Sequence, residues 1–299
     1  MTRAIICSFR KYTPFGDSFY QPIFDFFISN LTKYSDEYDK LYILDSLWNF
    51  TEKDKEKAKE AKGEIVYSDP QLRYWDAYKA VLPQVKEDLV LMIDNDVVIY
   101  REGKIKETFD LMQNQKYEVV SIFDTIGTRT YPELNNKSKF CLYWFAMPKD
   151  FLMNYLDVDW APRMPEYETL GALTEKIVQD KLKLYEWPED KNSIYFDGTM
   201  DETKSKDTGI YHIRAGSTPA VLLAWKDSLE HKHTYEEYIK NQPRNEYLRQ
   251  MIWFDLMLEQ TGSSKIRDEL FGILEDLKIG SEWFDYRMKF RKYHGLSII

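Results

Sequence analysis

The sequence has few cysteines and no long apolar run. Only two cysteines occur among the 299 residues, Cys7 and Cys141, and both fall in apolar segments. This usage is typical of a reducing compartment and argues against a disulfide framework. No run approaches the ~20 apolar residues of a membrane-spanning helix, and the first apolar run is too short for a signal peptide. We therefore expect a soluble, cytoplasmic protein with buried thiols, in which the Asn-x-Ser/Thr matches at Asn30, Asn49 and Asn136 occur by chance.

Basic residues are fewer than acidic ones, 41 against 50. The formal net charge of -9 opposes broad adhesion to nucleic acid or to an anionic membrane. A local exception is residues 283–294 (WFDYRMKFRKYH), where basic and aromatic residues are interleaved. This segment indicates either a surface for an acidic acceptor, a membrane or nucleic acid, or a solvated helix face whose aromatic residues pack inward.

Short apolar strands alternate with helical segments along most of the chain. The predicted strands are residues 4–9, 40–44, 64–67, 89–93, 119–123 and 140–147. An amphipathic helix lies between the third and fourth strands, and Pro83 must end or kink it. Repeated strand, crossover and strand units predict an α/β fold with a mostly parallel central sheet flanked by helices. Ligands of such sheets bind beyond the carboxyl ends of the strands.

Only helical patterns remain after about residue 230. One helical stripe consists of Ile266, Leu270, Ile273, Leu274 and Leu277. We therefore predict a sheet-containing domain at residues 1–230 and a helical C-terminal subdomain, or appendage, at residues 231–299. The polar stretches 131–139 and 197–207 are predicted to be loops.

One predicted strand ends in two carboxylates. Residues 88–100 read DLVLMIDNDVVIY, so Asp94, Asn95 and Asp96 interrupt an apolar run. At the carboxyl end of a central parallel strand, both carboxylates would face the ligand crevice. Two carboxylates one residue apart can share a hard divalent cation, and such cations commonly also bind phosphate oxygens. The alternative is a plain Asp-Asn turn, which these residues favour through local hydrogen bonds.

The segment 88–100 resembles the D-x-D strand of nucleotide-sugar glycosyltransferases with the GT-A fold. Residues 73–82 (RYWDAYKAVL) are similar to the helix that precedes this strand, and residues 210–219 (IYHIRAGSTP) to a late strand whose histidine is a further metal ligand. The resemblance covers residues 4–223 loosely. It implies a GT-A-like catalytic domain at residues 1–230, Mn²⁺ or Mg²⁺ as cofactor, and a nucleotide-diphosphate sugar as donor.

His212 is the histidine of that late strand. It is one of only four histidines and follows the apolar pair Ile210 and Tyr211. A neutral imidazole suits manganese, so Asp94, Asp96 and His212 together could hold a metal with open positions for phosphate oxygens. The alternative is a hydrogen-bonded histidine in the core.

A catalytic base is predicted shortly before a helix. Apolar residues from Leu170 onward follow helical spacing, so Glu166 and Glu168 lie at or just before its N-terminus, where the helix dipole favours their charged form. In inverting GT-A enzymes a carboxylate in a similar place deprotonates the acceptor hydroxyl. Glu168 is our candidate for this role, and Asp94 is assigned a catalytic role beside its metal role. Alternatively, Glu168 stabilises a helix start or, in a retaining enzyme, binds sugar hydroxyls.

Contacts to the nucleoside are predicted at the ends of the first two strands. Ser8, Phe9 and Arg10 follow the first strand, and Asp45 follows the second. GT-A enzymes hold the nucleoside in this place.

Three further donor contacts are predicted nearer the acidic pair. Arg73 and Asp76 lie three residues apart on the helix face opposite the apolar stripe, so both could face the crevice. A solvated ion pair is the alternative for these two residues. Asn95, between the two carboxylates, is the third, and Asp94 is assigned a donor contact in addition to its metal and catalytic roles.

These features predict a metal-dependent glycosyltransferase. It would move a sugar from a nucleotide-diphosphate donor to a hydroxyl of a glycan, a small molecule or a hydroxylated DNA base. One alternative is a nucleotidyltransferase acting on sugar phosphates, although residues 8–16 (SFRKYTPFG) contain one glycine instead of the usual glycine-rich loop. The other is a non-catalytic carbohydrate-binding or scaffold protein with the same fold.

Overall fold

The computed structural model describes residues 1–10, 17–46, 49–67, 69, 72–124, 128–162, 169–187, 210–212, 218–226, 232–241 and 244–276. The chain divides into two compact units, each assembled from separate segments. The first unit comprises Met1–Arg10, Leu31–Asn95 and Arg101–Glu189, and the second comprises Lys11–Asn30, Asp96–Tyr100 and Asp190–Ile299. The predicted domain boundary at residue 230 stays a prediction.

The described residues form nine strands. In chain order they are β1 (Arg3–Arg10), β2 (Lys40–Ser46), β3 (Gly63–Tyr67), β4 (Leu89–Asp94), β5 (Val97–Ile99), β6 (Val119–Asp124), β7 (Lys139–Pro148), β8 (Leu184–Glu186) and β9 (Ile210–His212). Each of the six strands predicted from apolar runs is confirmed to within two residues at either end. The short strands β5 and β8 are not predicted by those runs, because three residues give no reliable period.

The same residues form ten α-helices. They are α1 (Asp17–Thr32), α2 (Glu52–Glu60), α3 (Tyr74–Val81), α4 (Lys104–Gln113), α5 (Lys149–Met153), α6 (Gly171–Gln179), α7 (Thr218–Lys226), α8 (Lys232–Asn241), α9 (Arg244–Gln260) and α10 (Ser264–Asp276). The predicted effect of Pro83 is confirmed, because α3 passes into a 3₁₀ turn at Leu82–Gln84. No helix among the described residues is long and apolar enough to cross a membrane.

The first unit contains a seven-stranded sheet in the order β3-β2-β1-β4-β7-β6-β8. Strands β3, β2, β1 and β4 are all parallel, and β8 is parallel to β6. Strand β7 runs antiparallel to both of its neighbours. The predicted mostly parallel sheet flanked by helices is therefore confirmed, with one antiparallel strand inserted. The carboxyl ends of β1, β2 and β4 meet at the same edge.

Helix α3 covers one face of this sheet. Ala77, Tyr78 and Val81 pack in the same cluster as residues of the three central strands, including Ile6 and Met92. The predicted buried thiols are confirmed, since both cysteines are buried, one in β1 and the other in β7. Burial of this apolar surface, at roughly 25 cal/mol per Å², is the main force that holds the strands together.

The second unit contains an antiparallel ribbon of β5 and β9. It also contains most of α1 and the helices from α7 onward. In α10 the stripe residues Leu270, Ile273 and Leu274 are buried. The carboxylate of Asp255 in α9 is buried and lies 2.5 Å from Nε of Arg267 in α10, so each charge has a counter-charge.

The hydroxyl of Tyr78 ties the ends of two strands together. Tyr78 Oη accepts a hydrogen bond from Ser8 N at 3.2 Å and donates one to Ile93 O at 3.1 Å. We expect Tyr78→Phe to lower the free energy of unfolding by about 1–3 kcal/mol, because two buried backbone groups lose a partner. Urea unfolding would measure the change.

Tyr67→Phe is the control for this prediction. The Tyr67 side chain is 64% exposed at the edge of the sheet, so its substitution should change the free energy of unfolding by less than about 0.5 kcal/mol. Equal stabilities of Tyr78→Phe and Tyr67→Phe would contradict a bridging role for the buried hydroxyl.

Candidate metal centre

The acidic segment lies where a buried strand ends. Strand β4 is buried from Leu89 to Ile93, and its last residue, Asp94, is half-buried. Asn95 and Asp96 form a two-residue turn, after which the chain continues as β5. Residues 88–100 are thus two strands joined by a turn. The Asp-Asn turn that was the alternative to a ligand site is therefore present. The same turn also places two carboxylates at the carboxyl edge of the sheet.

Pairing of β5 with β9 brings a distant histidine to this turn. Val97 lies opposite His212 in the antiparallel ribbon. Because Asp96 immediately precedes Val97, its carboxylate reaches the imidazole, and Asp96 Oδ1 lies 3.0 Å from His212 Nε2. Both side chains are largely buried, with exposures of 9% for Asp96 and 16% for His212.

Three potential metal ligands cluster here. Asp94, Asp96 and His212 each offer a ligand atom, and these atoms all lie within 4.8 Å of one another. Two ligands bound at about 2.1 Å and at right angles to each other are ~3.0 Å apart, which matches the Asp96–His212 separation. The donor set of two carboxylates and one imidazole therefore fits a divalent cation.

The charge of the cluster also favours a cation. Two carboxylates held two residues apart repel each other, and partial burial strengthens the repulsion because little water screens it. A protonated His212 would supply one positive charge, whereas a divalent cation would supply two. The cluster is therefore chemically suited to a cation ligand and poorly suited to an anion.

The ends of β1 and β2 carry further predicted contacts. Ser8 pairs in register with Asp94, so these two side chains lie on the same face of the sheet. Ser8 Oγ is buried, and none of the described residues hydrogen-bonds it. Phe9 pairs with Asp45 and is fully buried with its ring packed edge-on against Phe50. Any contact of Phe9 with a ligand would therefore come from its backbone.

Asp45 is already engaged locally. Its carboxylate is buried and accepts a hydrogen bond from Asn49 N at 3.3 Å. This bond holds the chain after β2 close to the end of that strand. Asp45 thus shapes the edge of the sheet at which Ser8 and Asp94 also lie.

Arg73 and Asp76 form an ion pair at the start of α3. Arg73 Nε lies 2.6 Å from Asp76 Oδ2, and a second carboxylate, that of Asp159, lies 3.6 Å from the guanidinium. The hydrogen bond that Arg73 donates to the Asp76 carboxylate raises the pKa of Arg73 above its ordinary value. The Arg73 side chain is 54% exposed. This exposure is typical of a solvated ion pair, which was the alternative to a donor contact for these two residues.

Several predicted residues fall outside the described residues. Glu166, Glu168 and the basic-aromatic segment 283–294 belong to this group, as does the loop 197–207. The side chain of Arg10 also lies outside it, although its backbone ends β1. Helix α6 begins at Gly171, three residues after Glu168, in agreement with the predicted helix position.

Sequence patterns overlooked Asn30 near this site. Asn30 lies in α1, is buried, and hydrogen-bonds both backbone groups of Ile99 in β5. A signal for it does exist, because residues 23–31 (IFDFFISNL) place an asparagine in a strongly apolar stretch. A buried amide needs hydrogen-bond partners, so such an asparagine predicts a side chain that hydrogen-bonds to another part of the chain.

No family model and no curated protein matches this chain. Solved structures do show a partial likeness. A mycobacterial protein aligns with 61% of this chain and 63% of its own length, less than two thirds, at 16% identity and a TM-score of 0.43. Glucosyl-3-phosphoglycerate synthase from Mycobacterium tuberculosis, in complex with Mn²⁺, uridine diphosphate and glucosyl-3-phosphoglycerate, aligns over 62% and 68% at 15% identity and a TM-score of 0.40. CMP:2-keto-3-deoxy-manno-octonic acid synthetase with CTP aligns over 62% and 90% at 11% identity and a TM-score of 0.40. Likeness this weak assigns no activity to the chain.

Proposed function

We propose that this protein is a metal-dependent glycosyltransferase that uses a nucleotide-diphosphate sugar as donor. The observation that carries the proposal is the cluster of Asp94, Asp96 and His212 around the carboxyl end of the central strand β4. Open α/β sheets bind ligands at this edge, and a divalent cation held there can also bind the oxygens of a diphosphate. The D-x-D pattern and the late histidine in the sequence favour the same role.

Mn²⁺ fits this donor set better than Mg²⁺ does. Mg²⁺ prefers oxygen ligands in near-ideal octahedral geometry, whereas the cluster includes an imidazole nitrogen. Asp94, Asp96 and His212 would hold the cation and leave positions for phosphate oxygens. When bound, the metal would act as a Lewis acid that stabilises the departing nucleoside diphosphate.

The ends of β1 and β2 would position the donor. Ser8 Oγ shares a sheet face with Asp94 and is available to hydrogen-bond a donor oxygen. The backbones of Phe9 and Arg10 and the carboxylate of Asp45 would border the nucleoside. Asn95, at the tip of the turn, would contribute its amide to the diphosphate.

Arg73 and Asp76 would act as a pair. The guanidinium, which the carboxylates of Asp76 and Asp159 hold at the start of α3, would donate one of its remaining N–H groups to an oxygen of the donor. Because the pair is exposed, its contribution would be to donor capture, and its loss would matter less than loss of a buried ligand.

The transfer step needs a base on the acceptor side. Glu168 would accept the proton of the acceptor hydroxyl while the hydroxyl oxygen forms a bond to the anomeric carbon of the sugar. The bond between that carbon and the diphosphate oxygen breaks, and its electron pair leaves with the nucleoside diphosphate. Asp94 would serve this step as one of the residues that hold the cation. The acceptor would be a hydroxyl of a glycan, a small molecule or a modified DNA base. We also propose a cytoplasmic location, which the usage of the two cysteines favours.

Turnover should require the cation and its buried carboxylate. Incubation of the protein with a panel of nucleotide sugars and Mn²⁺ should release free nucleoside diphosphate, and EDTA should stop the release. Asp96→Ala should abolish it while the far-ultraviolet circular dichroism stays intact, because the substitution removes a ligand and leaves the sheet in place. Release of pyrophosphate instead would indicate nucleotidyl transfer, and undiminished release of nucleoside diphosphate in EDTA would contradict the proposal.

Asp157→Ala is the matched control for Asp96→Ala. Asp157 is an exposed aspartate in the turn after α5, so its loss changes the net charge by the same amount without touching the cluster. Activity of Asp157→Ala should equal that of the wild type. A similar loss in both variants would trace the effect to net charge.

Ligand binding should stabilise the fold through His212. Mn²⁺ with a nucleoside diphosphate at a hundred times its Kd should add about 2.7 kcal/mol to the free energy of unfolding, which raises the Tm. His212→Ala should weaken this rise because one ligand is lost, whereas His233→Ala, on an exposed position of α8, should leave it unchanged. Differential scanning calorimetry measures the ligand-induced rise in Tm of each variant. Identical rises in wild type and His212→Ala would reduce His212 to a core histidine.

Glu168 should affect the chemical step and not donor affinity. We expect Glu168→Gln to lower kcat by roughly 10²–10⁴-fold, the usual contribution of a positioned base, with the donor Kd unchanged. Rapid-quench kinetics and calorimetric titration of the donor separate the two quantities. A parallel loss of donor affinity would move Glu168 from the base role to the sugar pocket.

A further inference from the structure

Strand β5 has two edges, and among the described residues only one of them pairs with another strand. In the antiparallel ribbon, the backbone groups of successive residues point alternately toward the partner strand and away from it. Ile99 lies opposite Ile210 of β9. Its N–H and C=O groups, however, both bond to the side chain of Asn30 and therefore point to the other edge.

Asn30 completes that second edge. Its Nδ2 donates to Ile99 O at 2.7 Å, and Ile99 N donates to its Oδ1 at 2.9 Å. The amide thus makes the same pair of bonds that a neighbouring strand would make. Asn30 and Ile99 are both buried, so water cannot easily replace either bond.

Helix α1 holds Asn30 firmly in this position. Phe26, one turn earlier, packs edge-on against Trp253 of α9 with the ring centroids 6.2 Å apart. Ser29 accepts a hydrogen bond from Gln260 of the same helix. The amide therefore projects from a helix that is anchored independently of β5.

We infer that Asn30 is a positioning residue for the candidate metal centre. This inference rests on the proposed function. A two-stranded ribbon of three residues per strand is marginal by itself, so its register depends on outside bonds. Asp96 directly precedes β5, and His212 lies opposite Val97. By fixing Ile99, Asn30 fixes the register on which the 3.0 Å separation of Asp96 and His212 depends.

The matched control is a second buried side chain with the same kind of bonds. Thr174 in α6 accepts a hydrogen bond from Phe140 N at 3.1 Å and donates one to Leu170 O at 2.8 Å. It is fully buried in the first unit and touches neither β5 nor β9 among the described contacts. Thr174→Val therefore removes two buried bonds and serves as a stability control for Asn30→Ala.

The test combines metal affinity with a metal-free readout on the full chain. For Mn²⁺ titrated by calorimetry into folded protein, Asn30→Ala should raise the Kd about tenfold or more, the usual effect of losing a residue that orients metal ligands. Thr174→Val should leave the Kd within about twofold. Without metal, the Ile99 amide should exchange with solvent faster, and the imidazole NMR signals of His212 should shift, in Asn30→Ala but not in Thr174→Val.

A second variant keeps the test decisive if Asn30→Ala does not fold. Asn30→Leu keeps nearly the same side-chain shape, buries no charge and removes both bonds to Ile99, so the Ile99 amide should exchange faster and Mn²⁺ affinity should fall. A folded Asn30 variant that binds Mn²⁺ like the wild type, with unshifted His212 signals, would overturn the inference. Absence of Mn²⁺ binding in the wild type would instead overturn the metal centre, and the His212 signals would then decide the role of Asn30 by themselves.

Discussion

The repulsion between two carboxylates in one turn is the constraint on which the site depends. Asp94 ends a strand whose preceding residues are buried, and Asp96 follows after one intervening residue. A chain gains nothing in stability from placing two negative charges where water is partly excluded. His212 lies beside Asp96, and the cluster suits a divalent cation, which would offset the repulsion.

Pairing of β5 with β9 brings a histidine from a distant part of the sequence to that turn. His212 is 116 residues after Asp96, and the antiparallel register of β5 and β9 places it opposite Val97. Such a short ribbon cannot hold its own register, so other parts of the chain must hold it. The amide of Asn30 holds the register by bonding to one edge of β5. The contact of Phe26 with Trp253 holds α1, and therefore this amide, in place. The separation of Asp96 and His212 in the candidate metal centre therefore depends on the position of α1, although α1 contributes no ligand.

The large sheet supplies a different kind of order. Parallel strands β1, β2 and β4 end at one edge, so residues that follow them in sequence become neighbours in space. Tyr78 reinforces this edge by bonding to the ends of both β1 and β4. The edge is consequently rigid on the side where Ser8 and Asp94 share a face.

The apolar runs by themselves indicated the six main strands, because short apolar segments bounded by polar residues are typical of strands in a sheet. They also indicated that β4 ends at the acidic segment, since a charged residue seldom continues a buried strand. Chemical identity together with a family resemblance nominated His212. Only the tertiary structure decided that β5 leaves the large sheet and pairs with β9, because three apolar residues carry no periodicity that distinguishes the end of one strand from the start of another. The role of Asn30 was likewise invisible, since it depends on a bond between residues 69 positions apart. Local patterns report what each segment must bury, whereas the partners of a buried polar group are set by where the rest of the chain comes to lie.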